Sequence, residues 1–268
     1  MSHSPTHRIA ACATTAVAAA ALLAAGQPAA FGQSSSAGHP HRACSAPAAV
    51  IGLSSNWKIQ LPVEDPDTAG KPLEITQPQL ATYKNAPWFT TTSDCKAALF
   101  RAAVNGATTT NTGYPRSELR EMTSSGTKTA SWSSTSGTST MTVDEAVTHL
   151  PNDKPHVMAG QIHDDSSDVT SFRLEGTSLY VTSYNTTHYK LVTANYKLGT
   201  RFQGKFVVSG GNVKVYYNGT LEATVAADFA SGYFKAGDYT QANCGNSSPC
   251  STSNYAEVAL YGVSITHS

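Results

Sequence analysis

Residues 44–268 are predicted to form an all-β domain, a sandwich, jelly roll or barrel. Three observations predict it. Polar and apolar residues alternate with period two over short runs rich in Val, Tyr and Thr. Turn dipeptides such as Gly210-Gly211 and Asn218-Gly219 separate those runs. No stretch carries the pattern of a long amphipathic helix.

Pro78–Tyr83 has the pattern of a single helical turn, and so does Val225–Ser231. Ser171–Leu174 and Leu179–Tyr184 flank Glu175-Gly176-Thr177-Ser178 and read as a hairpin. Lys205–Ser209, Val213–Tyr217 and Leu221–Val225 follow as three strands. The Asn-Gly pair between the last two favours a type I′ turn, because both central residues need positive φ. Ala256–Thr266 is again strand-like. An antiparallel sheet can bury one face and leave the other wet, which makes a natural groove for a chain-like ligand.

The N-terminus reads differently. Arg8 precedes an Ala-rich apolar run from Ile9 to Ala25, the pattern of a secretory signal peptide, assigned to residues 1–30. The run is too weakly hydrophobic to favour a membrane span. Residues 31–43 read as a loose linker rich in Ser, Pro and Gly. A mature, secreted domain over residues 44–268 then keeps Cys44, Cys95, Cys244 and Cys250, while Cys12 leaves with the leader. An even number of cysteines in an exported chain points to disulfides. The Gly-Asn-Ser-Ser-Pro between Cys244 and Cys250 can turn, so this pair is preferred, and Cys44–Cys95 follows by elimination. No cysteine spacing matches a zinc site.

The whole chain has a formal net charge of zero. Removing Arg8 and Arg42 from the 18 bases leaves 16 against 18 acids, a charge of −2 after the leader and linker. Nucleic acid is disfavoured as a partner, and an acidic ligand must be held by a local basic cluster.

Three segments break the bland pattern. In Tyr114-Pro-Arg-Ser-Glu-Leu-Arg120, an extended strand puts Arg116, Glu118 and Arg120 on one face. Two guanidinium groups oriented by one carboxylate can grip a carboxylate bidentately, although an exposed ion-pair ladder has the same spacing. In Gln161-Ile162-His163 the amide and the imidazole share a face, and a wet His is a candidate general base as well as an ordinary surface residue. Asp164-Asp165 offers too few oxygen ligands for a hard cation and reads as a turn. In Tyr233-Phe-Lys-Ala-Gly-Asp-Tyr-Thr-Gln241, Gly237 allows a bend and Tyr239 and Gln241 share a face with Lys235 near them. A nearby cation is expected to lower the phenol from its ordinary value near 10 and make it a usable proton carrier.

Taken in this order, the three segments resemble the signature motifs of the alginate lyases of polysaccharide lyase family seven. The resemblance covers residues 44–268. It implies a jelly-roll β-sandwich of the concanavalin A-like type, with the motifs on a concave sheet that holds the substrate. It further implies an endolytic lyase, monomeric, without cofactor or metal, whose partner is the acidic polysaccharide alginate. Carried over residue by residue, Arg116 and Gln161 neutralise the substrate carboxylate, and His163 and Tyr239 transfer protons. Glu118, Arg120, Lys235 and Gln241 line the groove. Ile162 resembles members that prefer guluronate-containing chains, whereas members with Val there more often prefer mannuronate.

Two other classes compete. A jelly-roll glycoside hydrolase needs two placed carboxylates, and Glu118, flanked by arginines, makes a poor acid. A carbohydrate-binding module can rely on exposed aromatics such as Trp57, Trp88 and Trp132, but has no need of His and Tyr beside an Arg/Gln pair.

Overall fold

The computed structural model describes residues 43–268; the expected signal peptide, and the expected linker apart from Ala43, lie outside the described residues. The strands in chain order are β1 (Trp57–Asp65), β2 (Thr68–Ile75), β3 (Phe89–Thr91), β4 (Ala98–Ala103), β5 (Arg116–Glu121), β6 (Thr138–His149), β7 (His156–His163), β8 (Asp168–Glu175), β9 (Ser178–Ser183), β10 (Thr186–Thr193), β11 (Phe202–Ser209), β12 (Asn212–Tyr217), β13 (Thr220–Ala226), β14 (Tyr233–Thr240) and β15 (Tyr255–His267). They make two antiparallel sheets: eight strands in the order β10-β9-β8-β7-β14-β5-β1-β2, and seven in the order β13-β12-β11-β6-β15-β4-β3. This is a jelly-roll β-sandwich, as the sequence predicts. Side chains from both sheets, Trp57, Phe172 and Phe234 from one and Phe100 and Phe206 from the other, share one buried cluster.

The hairpins follow the turn chemistry. Asn218 and Gly219 adopt φ of 48° and 83°, the double positive-φ arrangement that a type I′ turn demands. β8 and β9 are joined by only two residues, because Glu175 pairs directly with Ser178. Of the two expected helical turns, Gln79–Ala81 forms a 3-10 turn. Val225–Ser231 does not. β13 runs through Ala226 and irregular chain follows, since Val225 pairs with Val213 and sits in the core, where the ladder outcompetes a local turn. A short helix, α1 (Pro47–Val50), was not anticipated. Both preferred disulfides, Cys44–Cys95 and Cys244–Cys250, are formed.

The centre of the larger sheet is bent by bulges. Between β14 and β7 the register slips from Lys235↔Gln161 to Tyr239↔Met158, so β14 holds one residue more than its partner. Gly237 absorbs the slip at φ 125°, and a Cβ there would lie 2.8 Å from the Ser117 carbonyl oxygen and 2.9 Å from the Phe100 ring. Only glycine fits. The bend lies between Lys235 and Tyr239, and so sets the angle at which those two side chains leave the sheet.

Glu145, on β6, points into the core. It is fully buried, and neither carboxylate oxygen has a hydrogen-bond partner. Burial, with a small contribution from Asp144, raises its pKa from 4.5 to about 8. Between those values the folded protein holds a proton that the unfolded chain has released. The associated stability is therefore complete below pH 4.5 and is lost as the pH rises through about 8. Glu145→Gln, which cannot ionise, is expected to be more heat-stable than the parent by a margin that widens from pH 5 to pH 8, as differential scanning calorimetry would show. A constant margin would mean that Glu145 does not titrate in the core.

Candidate active site

β5, β14 and β7 are neighbours in the larger sheet, so the three singled-out segments lie side by side. The register pairs Arg120 with Lys235 and Arg116 with Tyr239 across β5–β14. Lys235 pairs with Gln161, and Tyr233 with His163, across β14–β7. Pairings between distant parts of the chain therefore assemble what no local stretch contains. A cavity of about 670 Å³ lies above them, and Arg116, Glu118, Arg120, His163, Lys235, Tyr239 and Gln241 line it.

Gln161 is placed differently. It is fully buried, is not among the cavity-lining side chains, and donates its amide N–H to Glu118 Oε1. The other carboxylate oxygen of Glu118 lies 2.5 Å from Lys235 Nζ and 3.6 Å from an Arg116 Nη. Glu118 is thus a buried counter-ion that ties an amide, an ammonium and a guanidinium together.

Each aromatic ring carries a cation. The Arg116 guanidinium sits 3.9 Å above the Tyr239 ring, and that of Arg120 3.9 Å above Tyr233. Tyr233 in turn stacks on the His163 ring, with 5.2 Å between centroids and 16° between planes. Stacking fixes the plane of the imidazole, and a hydrogen bond fixes its tautomer. His163 Nδ1 lies against the Asp164 carbonyl oxygen, which can only accept, so Nδ1 carries the hydrogen. The lone pair is then on Nε2, whose nearest carboxylate is Asp168 at 3.4 Å. Burial lowers the His163 pKa below 6.5, against the opposing pull of the Asp164 carbonyl and the Asp168 carboxylate. At neutral pH the ring is an uncharged base.

Tyr239 departs from the expectation. Burial raises its pKa above 10 and outweighs both the Arg116 charge and the hydrogen bond to Thr112, which lower it. Desolvation of the phenolate is the larger effect because Tyr239 is only 6% exposed. The phenol therefore keeps its proton near neutrality and is an acid rather than a base. Its hydroxyl lies 2.9 Å from Thr112 Oγ1.

The sequence matches the alginate lyase family over residues 51–267. The chain belongs to the alginate lyase family. That family consists of polysaccharide lyases, so the expected enzyme class is met at the level of the family. The crystal structure of the alginate lyase from Corynebacterium sp. is 58% identical, with a TM-score of 0.81, over 85% of this chain and 100% of that one. Alginate lyase AlgAT5 from polysaccharide lyase family 7 is 44% identical, with a TM-score of 0.76, over 83% of this chain and 99% of that one. A curated relative, the alginate lyase of Klebsiella pneumoniae, is 46% identical over 70 residues, 25% of this chain and only 22% of that protein's length.

The alginate lyase fold also brings in groups that sequence reasoning missed. Thr112 and Tyr114 come from the connection between β4 and β5, and Gln60 and Glu74 from β1 and β2. Asp168 and Tyr233 lie within or beside the recognised segments but carried no signal of their own. Asp164 and its neighbours form the turn expected of them: one Asp164 carboxylate oxygen accepts the Ser166 and Ser167 amides, each at 2.7 Å.

Proposed function

We propose that this chain is a secreted, monomeric alginate lyase, with a signal peptide at 1–30 and its catalytic domain at 44–268. It cleaves the polymer internally by β-elimination and prefers guluronate-containing blocks. One observation carries the reading: the His163 imidazole and the Tyr239 phenol line the same cavity as the Arg116 guanidinium, on three adjacent strands.

The reaction removes the proton at C5 of a uronate and expels the oxygen at C4. The C5 proton is weakly acidic while the neighbouring carboxylate is ionised. Arg116 meets that carboxylate from the cavity wall, while Gln161, buried beneath the wall, donates to Glu118, the carboxylate beside Arg116. Neutralised in this way, the carboxylate can accept charge as C5 is deprotonated. His163 Nε2 takes the C5 proton. The electron pair of that C–H bond forms the C4–C5 double bond, O4 leaves with its bonding pair, and Tyr239 gives O4 its phenolic proton. In guluronate the two groups leave from opposite faces of the ring, which suits a separate base and acid. Internal cleavage is supported by the reach of the cavity, from Glu74 on the edge strand β2 to Asn185 beyond β9, which leaves room for chain on both sides of a cleaved bond.

The test is direct. Incubated with alginate, the protein should raise ultraviolet absorbance as unsaturated ends form, with a steep early fall in viscosity. Reducing ends without absorbance would instead indicate a hydrolase.

The activity should show a bell-shaped pH dependence. On the acid side the rate falls below pH 6.5, as His163 takes up a proton and ceases to be a base. On the alkaline side, burial lowers Lys235 to about 8, although Glu118 resists the shift, so the site loses a positive charge as the pH passes that value. Lys235→Arg, whose charge persists, is expected to move the alkaline limb of kcat/KM upward. An unmoved limb would separate Lys235 from it.

A further inference from the structure

The motif residue Gln241 is held by a residue outside every motif, and the manner of holding gives its orientation. Gln241 is 7% exposed and lines the cavity. Its carbonyl oxygen accepts a hydrogen bond of 2.9 Å from Arg173 Nη1. A guanidinium has only donors, so the amide cannot be turned round without placing donor against donor. Gln241 Nε2 therefore faces away from Arg173. It is buried and has no acceptor among the described residues. A buried, unpartnered N–H is costly unless a ligand supplies the acceptor.

Arg173 is itself fixed. It lies on β8, separated from β14 by β7, and is 7% exposed. Its Nε donates to Glu175 Oε1 at 2.5 Å, and its Nη2 to His156 Nδ1 at 3.2 Å. Burial lowers the pKa of His156, which keeps that nitrogen's lone pair available. His188 Nε2 holds the second oxygen of Glu175 at 2.8 Å. Glu175 offsets the charge of Arg173, so the group presented to the cavity is a neutral, oriented amide donor rather than a cation.

We propose that Arg173 is a positioning residue that aims the Gln241 amide N–H at an oxygen of the bound polyuronate, beside the catalytic Tyr239. The proposal rests on the reading of the cavity as a polyuronate site. The experiment uses the Tyr239→Phe protein, so that the ligand is not consumed, and measures the Kd of an alginate oligosaccharide by calorimetry. Gln241→Leu should weaken binding about 5-fold, the effect of one neutral hydrogen bond. Arg173→Met should weaken it by a similar factor, and the two together by no more than either alone. Gln241→Glu, which keeps an acceptor for Arg173 but offers an oxygen to the sugar, should weaken binding more than Gln241→Leu. An Arg173 that merely supports the fold would lower Tm and leave the Gln241→Leu effect intact, so factors that multiply would overturn the proposal. So would unchanged binding in Gln241→Leu and Gln241→Glu, a result that needs no Arg173 variant to fold. Binding is read without turnover. A parent protein that binds the oligosaccharide yet never raises ultraviolet absorbance therefore contradicts the lyase reading and not the role of Arg173.

Discussion

Tyr239→Phe is expected to keep the fold and lose about 10²–10⁴-fold in kcat, the usual contribution of a positioned proton donor. The substitution removes one oxygen and leaves the ring under the Arg116 guanidinium. The structural cost is one hydrogen bond to Thr112, roughly 1 kcal/mol or a few degrees in Tm. Because burial keeps the phenol protonated, the loss belongs to leaving-group protonation at O4, and KM should change little. His163→Ala is expected to fall by a comparable factor through the other half of the transfer. The double variant should lose less than the product of the two, since base and acid serve one elimination step. Rates followed by ultraviolet absorbance, with Tm measured alongside, check both. Full activity in Tyr239→Phe would remove Tyr239 from the mechanism.

Arg116→Met is expected to cost about 10²–10³-fold in kcat, the usual loss when one preorganised donor to developing charge is removed. Arg116 Nε is buried and has no hydrogen-bond partner among the described residues, and Glu118 lies 3.6 Å from its Nη1. A planar fork with a donor still free is what a carboxylate needs for bidentate recognition. Arg116→Lys restores the charge but not the fork, and should recover only part of the rate. If Lys restored full activity, charge alone would suffice. If Met had no effect on kcat and raised only KM, Arg116 would bind substrate without stabilising its transition state.

The sequence made some of this legible and hid the rest for physical reasons. Alternation along Arg116–Arg120 predicted a shared face, and all three charged side chains do reach the cavity. Asn218-Gly219 specified its turn locally, and the turn forms. Strand order is another matter, because β7, β14 and β5 are neighbours in space but far apart in the chain. Period-two reasoning placed Gln161 and His163 on one face, and the structure adds that Gln161 is buried beneath the wall, bonded to Glu118 from a distant strand. The fall expected in the Tyr239 pKa did not survive, because a cation can be read from sequence neighbours whereas burial cannot. Val225–Ser231 differs for a related reason: its local pattern suits a turn, but pairing of Val225 with Val213 decides. Arg173 and Thr112 carry no spacing signal at all, and their importance appears only when Gln241 and Tyr239 are seen to touch them.

The most direct test is the structure of the Tyr239→Phe protein with a guluronate oligosaccharide bound. The expected result is a uronate with its carboxylate on Arg116, its C5 hydrogen toward His163 Nε2, and the O4 of the cleaved linkage beside position 239. A sugar chain bound away from β5, β7 and β14, or one whose C5 hydrogen faces away from His163, would contradict it.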